Sequence, residues 1–446
     1  MLALLLREFD DRILRDPELN ESLFEQLTER QRELGLTFGD RPTCPFLRPH
    51  IITRTQYDEV ARAAQTIAVA VERLVVRALT DDDLMAELSP TPREEQLARI
   101  DPGYSRLCVT SRLDAYVSDD GFKFLEYNAE SPAGVGDQMQ LEKVLFGLSH
   151  MKQLLGSHAH WRPEPHKRLL QSLLQAYREW GGDKEHPQIA IVDWKGVSTE
   201  SEFRILQKYF ASEGCPTIIA DPNELEYSHG NLSTEDFAID IVYKRVIIHE
   251  FLQRCSPDHP LDRAYTDERV CMANSFRTKL GHKKTSFVIL SDPRYANLFS
   301  AEEVEVLRRH IPWTRRVREG VTSFAGEEQN LVALIRDQRE QFVLKPNDDY
   351  GGHGVFLGWE TSPNDWERAI AMALDRPYVV QQRAPLKKTS VPTFSGGLRM
   401  DEVFVDFNPF LFHNEVEGAL VRLSSSSLLN VTSGGGQTAL LVLEDM

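Results

Sequence analysis

The chain has 446 residues, 41% hydrophobic and 27% charged, the composition of an ordinary globular protein of about three domains. Its formal charge of −17 argues against nucleic-acid binding driven by net charge, although a pocket's local field can still attract an anion. No run of about 20 apolar residues is present, so no membrane-crossing helix is predicted. The apolar start, residues 1–6, is cut short by Arg7, Glu8, Asp10 and Asp11, unlike a signal peptide. An odd count of five cysteines with no CxxC pair predicts neither a disulfide framework nor a zinc site, and fits a reducing cytoplasm. His158 and His160 form an isolated pair that reads as solvated or core rather than as metal ligands.

In chain order, residues 1–100 read as helical. Between 57 and 88 the apolar positions Val60, Ile67, Val71, Leu74, Val75 and Leu79 recur at helical spacing, and the Pro-containing stretch 89–93 ends the pattern. Residues 107–117 and 122–127 read as strands joined by Ser118-Asp119-Asp120-Gly121, a hairpin signal. A helix is predicted over 136–155. Strand-like runs at 188–193, 216–220 and 239–246, with a helix at 200–213 closed by Gly214, give the strand–helix–strand pattern of a small parallel sheet. Trp194 to Ser198 stands where a dinucleotide-binding GxGxxG would follow the first strand, so that fold is not predicted. From Met272 onward the chain reads as helical and then strand-rich, with strands at 342–345 and 378–381 and a long tail over 398–443. The only low-complexity tract is Ser424 to Ser427.

Four groups of residues have chemical potential. On the hairpin, Arg112 and Asp114 share one strand face, as do Glu126 and Asn128, because side chains alternate along a strand. Two carboxylates and an amide oxygen suit Mg²⁺, and Arg112 suits a phosphate; the same residues equally describe a solvated face crossed by salt bridges. Next, Lys345 ends a strand and leads through Asp348, Asp349 and Tyr350 into Gly351, Gly352, His353 and Gly354, a loop whose backbone can approach phosphates. It is not a Walker loop, because its lysine precedes the glycines. Third, Gln381 and Gln382 end an apolar strand; their backbone and amides suit an adenine edge, while a buried strand ending at the surface is the commoner use of such a segment. Fourth, the tail carries Gly418, Arg422, Asn430 and Gly434 to Gly436. An arginine in an apolar strand requires an anionic partner if buried.

Three of these stretches together resemble the ATP-grasp superfamily: the hairpin with its continuation (Arg112-Leu-Asp114, then Glu126-Tyr-Asn128-Ala-Glu130-Ser131-Pro132), the loop from Lys345-Pro to Gly351-Gly-His-Gly354-Val, and the segment Tyr378-Val-Val-Gln381. Because the hairpin precedes the lysine and glycine loop, the resemblance is to the circularly permuted branch, typified by the synthetase module of glutathionylspermidine synthase. It covers roughly residues 105–145 and 272 to the end. The resemblance implies Asp114, Glu126 and Asn128 as Mg²⁺ ligands and Arg112 as the phosphate-gripping arginine. Lys345, with Lys284 (or the adjacent Lys283), would be the ATP lysines, and Gly351, Gly352, His353 and Gly354 the closing loop. Gln381 and Gln382 would form the adenine hinge, Arg422 would lie at the acyl phosphate, and Glu130 and Ser131 at the substrate.

The implied fold is α+β with an α/β part: a circularly permuted ATP-grasp unit, a pre-ATP-grasp-like α/β domain and a helical N-terminal region. The expected division is 1–100 helical, 101–155 the first part of the ATP-grasp unit, 156–270 the α/β domain, and 271–446 the remainder. The implied activity is ATP- and Mg²⁺-dependent joining of a small-molecule or peptide carboxylate to an amine through an acyl phosphate, in the cytoplasm, without nucleic acid or membrane. An ATP-grasp phosphotransferase and a non-catalytic nucleotide-binding protein are the alternatives. No amidase-like stretch accompanies these motifs, so a paired hydrolase is not expected. Cys108, beside the hairpin, reads as a core residue.

Overall fold

The predicted hairpin forms, with Thr110–Ser118 antiparallel to Gly121–Asn128. Its outer edge is completed by residues from far along the chain. Thr110–Ser118 pairs with Arg399–Phe412, which pairs with Lys388–Thr393 and Glu415–Ser424, and Gly436–Thr438 closes the edge of this six-stranded sheet. This computed structural model describes residues 2–38, 41–118, 121–349, 351–394, 396–426, 429 and 435–445. Of the positions singled out in the sequence, Asp119, Asp120, Tyr350, Ser427, Asn430 and Gly434 lie outside the described residues.

A second sheet is wholly parallel, in the order Cys271–Ala273, Ile241–Lys244, Ile189–Val192, Thr217–Ala220. Ile189–Val192 is buried along its length, as a strand covered on both faces must be. Leu169 and Leu173 of the helix Pro165–Trp180 and Phe203, Leu206 and Phe210 of Glu200–Ser212 pack with Ile189, Ile191 and Tyr243 in one core cluster. The outermost strand, Cys271–Ala273, carries this sheet past the expected division at residue 270. Asn274, fully buried just beyond it, accepts from Val109 and Thr110 N–H and donates to the Thr110, Ala129 and Glu130 carbonyls, binding the parallel sheet to the hairpin.

A third, antiparallel sheet runs Thr314–Arg316, Tyr378–Gln382, Phe342–Pro346, Phe356–Leu357. Trp366 and Ile370 of the helix Pro363–Asp375 and Ile335 of Leu331–Asp337 pack with Phe342, Leu344 and Val380 in its core.

The helix expected over 57–88 is two helices, Arg54–Ala78 and Asp82–Leu88. The first starts at a capping box of Thr53 and Gln56; the second has its own cap in Asp81, whose side chain accepts from Leu84 N–H. The apolar stripe of Arg54–Ala78 packs with Leu113, Phe124, Phe407 and Val421 of the six-stranded sheet. The helix expected over 136–155 is likewise split, into Val135–Leu145 and Ser149–Ser157, around Gly147, a weak helix former. The N-terminal region is not purely helical, since His50–Thr53 pairs in parallel with Leu440–Leu443. Among the described residues no helix is long and apolar enough to cross a membrane, and all five cysteines are free. Burial pushes the Cys108 thiol up to about 12, consistent with a core role.

Candidate active site

A cavity of about 1190 Å³ lies where the C-terminal edge of the parallel sheet meets the six-stranded and third sheets. Of the residues singled out in the sequence for ATP, metal or substrate, all except Gly354 and the alternative lysine Lys283 line it.

The hairpin register sets Arg112 opposite Asn128 and Asp114 opposite Glu126, so the four side chains share one face as alternation predicts. Asp114 is the hub. Arg112 Nε donates to its Oδ1 at 2.8 Å, Asn128 Nδ2 to Oδ1 at 2.9 Å, and Arg422 Nη2 to Oδ2 at 2.8 Å. Burial alone would raise the Asp114 carboxyl, but the Arg112 and Arg422 guanidiniums more than offset it and leave it at about 2. Glu126 faces the cavity more openly, 3.5 Å from the Lys284 ammonium.

The largely buried arginine of the tail has an anionic partner, as an arginine in an apolar strand requires. Arg422 sits opposite Asp406 and donates to it from side chain and backbone: Nε to Oδ2 at 2.8 Å, Nη2 to Oδ2 at 2.5 Å, and backbone N–H to Oδ1 at 3.0 Å. Asn408 donates to Asp406 and accepts from Ala115 N–H. Neither Asp406 nor Asn408 was singled out from the sequence. Their signal was polar residues at alternate positions in the apolar run from Val403 to Phe410.

A bulge between Asp114 and Ala115 leaves Leu125 without a partner residue across the hairpin. Its carbonyl accepts from Lys345 Nζ and Gln381 Nε2, each at 3.3 Å. Lys345 also donates to Gln381 Oε1 at 2.7 Å, and Thr314 Oγ1 accepts from Gln381. The Gln381 amide is thus engaged with protein groups and fixes the lysine; Gln382, half-buried, carries the strand along the cavity wall. Burial brings the Lys345 ammonium down to about 8, with Glu126 opposing.

The two candidate lysines point apart. Lys284, at the N-terminus of Thr285–Ser291, lines the cavity and donates to the Asp349 carbonyl at 2.9 Å. Lys283 instead pairs with Glu94 and Asp348, each at 2.8 Å. Asp348 also accepts from Lys279 Nζ at 2.6 Å, and Glu130 accepts from the same ammonium at 2.7 Å. The lysines thereby fix the root of the glycine loop, in which Gly351 and Gly352 have φ of 65° and 80°. Gly354 turns away from the cavity, its carbonyl accepting from the Tyr378 hydroxyl.

Glu130 lines the cavity with both carboxylate oxygens already hydrogen-bonded, one by Lys279 Nζ and one by Ile248 N–H, and so ties down the segment leading from the hairpin. Ser131 remains half-buried on the cavity wall. Glu130, His282 and Asp348 are close enough together to hold a cation, and the Lys279 ammonium already bridges Glu130 and Asp348.

These charges bear on acid stability. Burial opposes ionisation of Glu130, yet Lys279, His282 and Lys244 bring it to about 2, and Asp348 is lowered by Lys279 and Lys283. A carboxylate lowered in the folded state contributes stability that is full above its unfolded pKa and is lost as pH falls toward the folded one. Asp114 and Glu130 should each contribute roughly 2–3 kcal/mol, lost between about pH 4.5 and pH 2. Denaturant midpoints followed by fluorescence across that window should fall steeply; a flat profile would contradict these pairings.

No family model matches the chain. It is 22% identical over 449 residues to the uncharacterized protein ML0605 of Mycobacterium leprae (strain TN), covering 92% of this chain and 74% of that one. It is 25% identical over 185 residues to a Frankia casuarinae protein named "Putative glutamate--cysteine ligase 2-2", covering 40% of this chain and 20% of the relative. Among solved structures, a glutathione synthetase-like effector (GSS30) from Globodera pallida in apo form superposes with a TM-score of 0.56 at 14% identity, over 96% of this chain and 97% of that one. At that identity the likeness is one of fold alone: the mixed α/β arrangement described above is shared with that structure over nearly its whole length.

Proposed function

We propose that the protein is an ATP-dependent carboxylate–amine ligase on a circularly permuted ATP-grasp fold, of the kind seen in the glutathionylspermidine synthase module. The observation that carries this reading is the convergence on one cavity of Arg112, Asp114, Glu126, Lys284, Lys345 and Arg422 from four separate chain segments. Four cations surround two carboxylates and an amide, a set that fits a polyphosphate with a hard divalent ion. Asp114, Glu126 and Asn128 would hold Mg²⁺ through oxygen, and the metal would supply neutralisation of phosphate charge. The named relative, a glutamate–cysteine ligase by its name, supports the same reaction class.

On this reading the chain's residues bind, orient and exclude water. Lys284 and Lys345 hold the triphosphate from two sides. Arg422, braced by Asp406, faces the oxygens on which charge develops as a carboxylate displaces ADP, while Arg112 braces Asp114. The loop Gly351–Gly354 covers the phosphates and keeps water from the acyl phosphate. Cytoplasmic location accords with the five free cysteines.

The test is an ADP-release screen over carboxylate and amine pairs with mass spectrometry of the products. Amide formation is expected; ADP release with a phosphorylated product would make the protein a phosphotransferase, and absence of Mg·ATP binding by calorimetry would end both readings. Lys345→Met should weaken Mg·ATP binding about tenfold or more, since one charge-assisted contact contributes roughly 1.5–3 kcal/mol. An unchanged dissociation constant would remove Lys345 from the nucleotide site.

A further inference from the structure

The cavity has two ends of opposite character. The end described above is cationic. The other lies beyond the C-terminal ends of the parallel strands Ile189–Val192 and Ile241–Lys244, where open α/β sheets place their ligands. It is lined by Asp137, Asp193, Glu202 and Glu250, with Arg245 as its cation among the described residues.

Three of its side chains are arranged around Asp137. Glu202 Oε1 accepts from Gly134 and Gly136 N–H at 2.9 and 3.1 Å, leaving Oε2 buried, without a hydrogen bond, and 3.7 Å from Arg245 Nη2. Gly134 has a φ of 102°, and a Cβ there would meet Leu420 at 2.9 Å, so glycine is required for the chain to approach this closely. Gln437 bonds to the Asp137 carboxylate, while its own Oε1 is buried and unpartnered. Gln437 is 8% exposed and Glu202 3%. Two buried acceptor atoms without a hydrogen bond, one of them facing Arg245 only at ion-pair distance, beside a carboxylate, are costly in an apolar setting unless a donor-rich group sits among them. A primary ammonium has three N–H donors and a positive charge, and no acceptor.

Position relative to the chemistry supports this occupant. Gln437 is the cross-strand partner of Arg422, so the acceptor cluster adjoins the residue assigned to the reacting acyl group. Building on the ligase reading, we infer that Asp137, Glu202 and Gln437 form the subsite for the ammonium group of the incoming amine, and that the Asp137 carboxylate takes its proton. One proton passes from nitrogen to Asp137, freeing the lone pair. Nitrogen bonds to the acyl carbon as the carbon–oxygen bond to phosphate breaks. Phosphate leaves with that electron pair and takes the second proton from nitrogen, giving amide and hydrogen phosphate. Burial first, and Glu202 second, raise the Asp137 carboxyl to about 7, within reach of a base working at neutral pH. The charged groups facing it are Glu202, from the helix Glu200–Ser212, and Arg245, just past the strand Ile241–Lys244.

Two measurements decide the matter. In calorimetry with n-butylamine hydrochloride and tetramethylammonium chloride, the primary ammonium should bind the parent protein at least tenfold more tightly than the quaternary ion. Asp137→Asn and Gln437→Leu should each weaken it at least tenfold, with Mg·ATP affinity as the control for an intact fold. Equal binding of the two ions, or parent-like binding by Asp137→Asn, overturns the subsite even if the protein proves to be a ligase. With a carboxylate that supports ADP release, Asp137→Asn should slow amide formation from n-butylamine about 10²–10⁴-fold. Its rate should recover as pH approaches the amine's own pKa, and hydroxamate formation with hydroxylamine, uncharged at neutral pH, should fall far less. Equal losses with both nucleophiles would refute the base. Absence of ADP release from the parent would refute the ligase reading alone, leaving the binding experiment to decide the subsite.

Discussion

Glu126→Gln is expected to lower ADP release by roughly 10²–10³-fold or more, with the melting temperature close to that of the parent. The two effects separate because of where the carboxylate lies. Its side chain is 32% exposed to the cavity, and it pairs with the Lys284 ammonium at 3.5 Å. A pair of that length and exposure contributes at most about 1 kcal/mol, so losing it costs the fold little. The substitution retains size and hydrogen-bonding shape but removes one of the two negative charges proposed to hold the metal. Parent-like ADP release would remove Glu126 from the metal site. A large fall in melting temperature would mean that the residue holds the hairpin together instead.

Asp406→Ala should do the reverse first, destabilising the fold by roughly 3–5 kcal/mol, the cost of leaving a buried ion-pair partner behind. Asp406 is fully buried and accepts from the Arg422 guanidinium, the Arg422 backbone N–H and the Asn408 amide. Without it, Arg422 turns on Asp114 alone, and Asn408 loses an acceptor in the middle of the sheet. Asp406→Asn, which retains one oxygen acceptor, should cost less. Urea denaturation of the two variants against the parent measures both, and an Asp406→Ala midpoint equal to the parent's would show that Asp114 alone suffices for Arg422. Any remaining activity in Asp406→Ala should be limited by a mobile Arg422, seen as a reduced kcat at saturating Mg·ATP.

The sequence carried much of this site in readable form. Strand alternation alone places Arg112, Asp114, Glu126 and Asn128 on one face, and the register agrees side chain for side chain. Lys345 before its glycine loop and Arg422 in an apolar strand were visible for the same reason: a charge in an apolar context has few structural uses. What escaped depends on partners remote in the chain. Lys279 and Asp348 are separated by 69 residues, and nothing local to either announces the pair. The bulge that frees the Leu125 carbonyl for Lys345 is a property of how two strands fit, not of either strand. Glu202 resembles any acidic residue early in a helix, and Asp137 any acidic residue at a helix start, until the fold sets them beside each other.

The strand Thr110–Ser118 pairs with its hairpin partner on one side and with Arg399–Phe412 on the other. During synthesis the second partner emerges about 280 residues after the hairpin, roughly 15–60 s later at ordinary elongation rates. For that interval the nascent chain presents an open strand edge carrying Arg112 and Asp114, while the parallel sheet, whose strands lie between Ile189 and Ala273, is already free to form. Closure of the six-stranded sheet is therefore the late and non-local event of folding, and the one most exposed to aggregation. The candidate cavity, with walls drawn from both sides of that gap, is assembled only when the edge is finally paired.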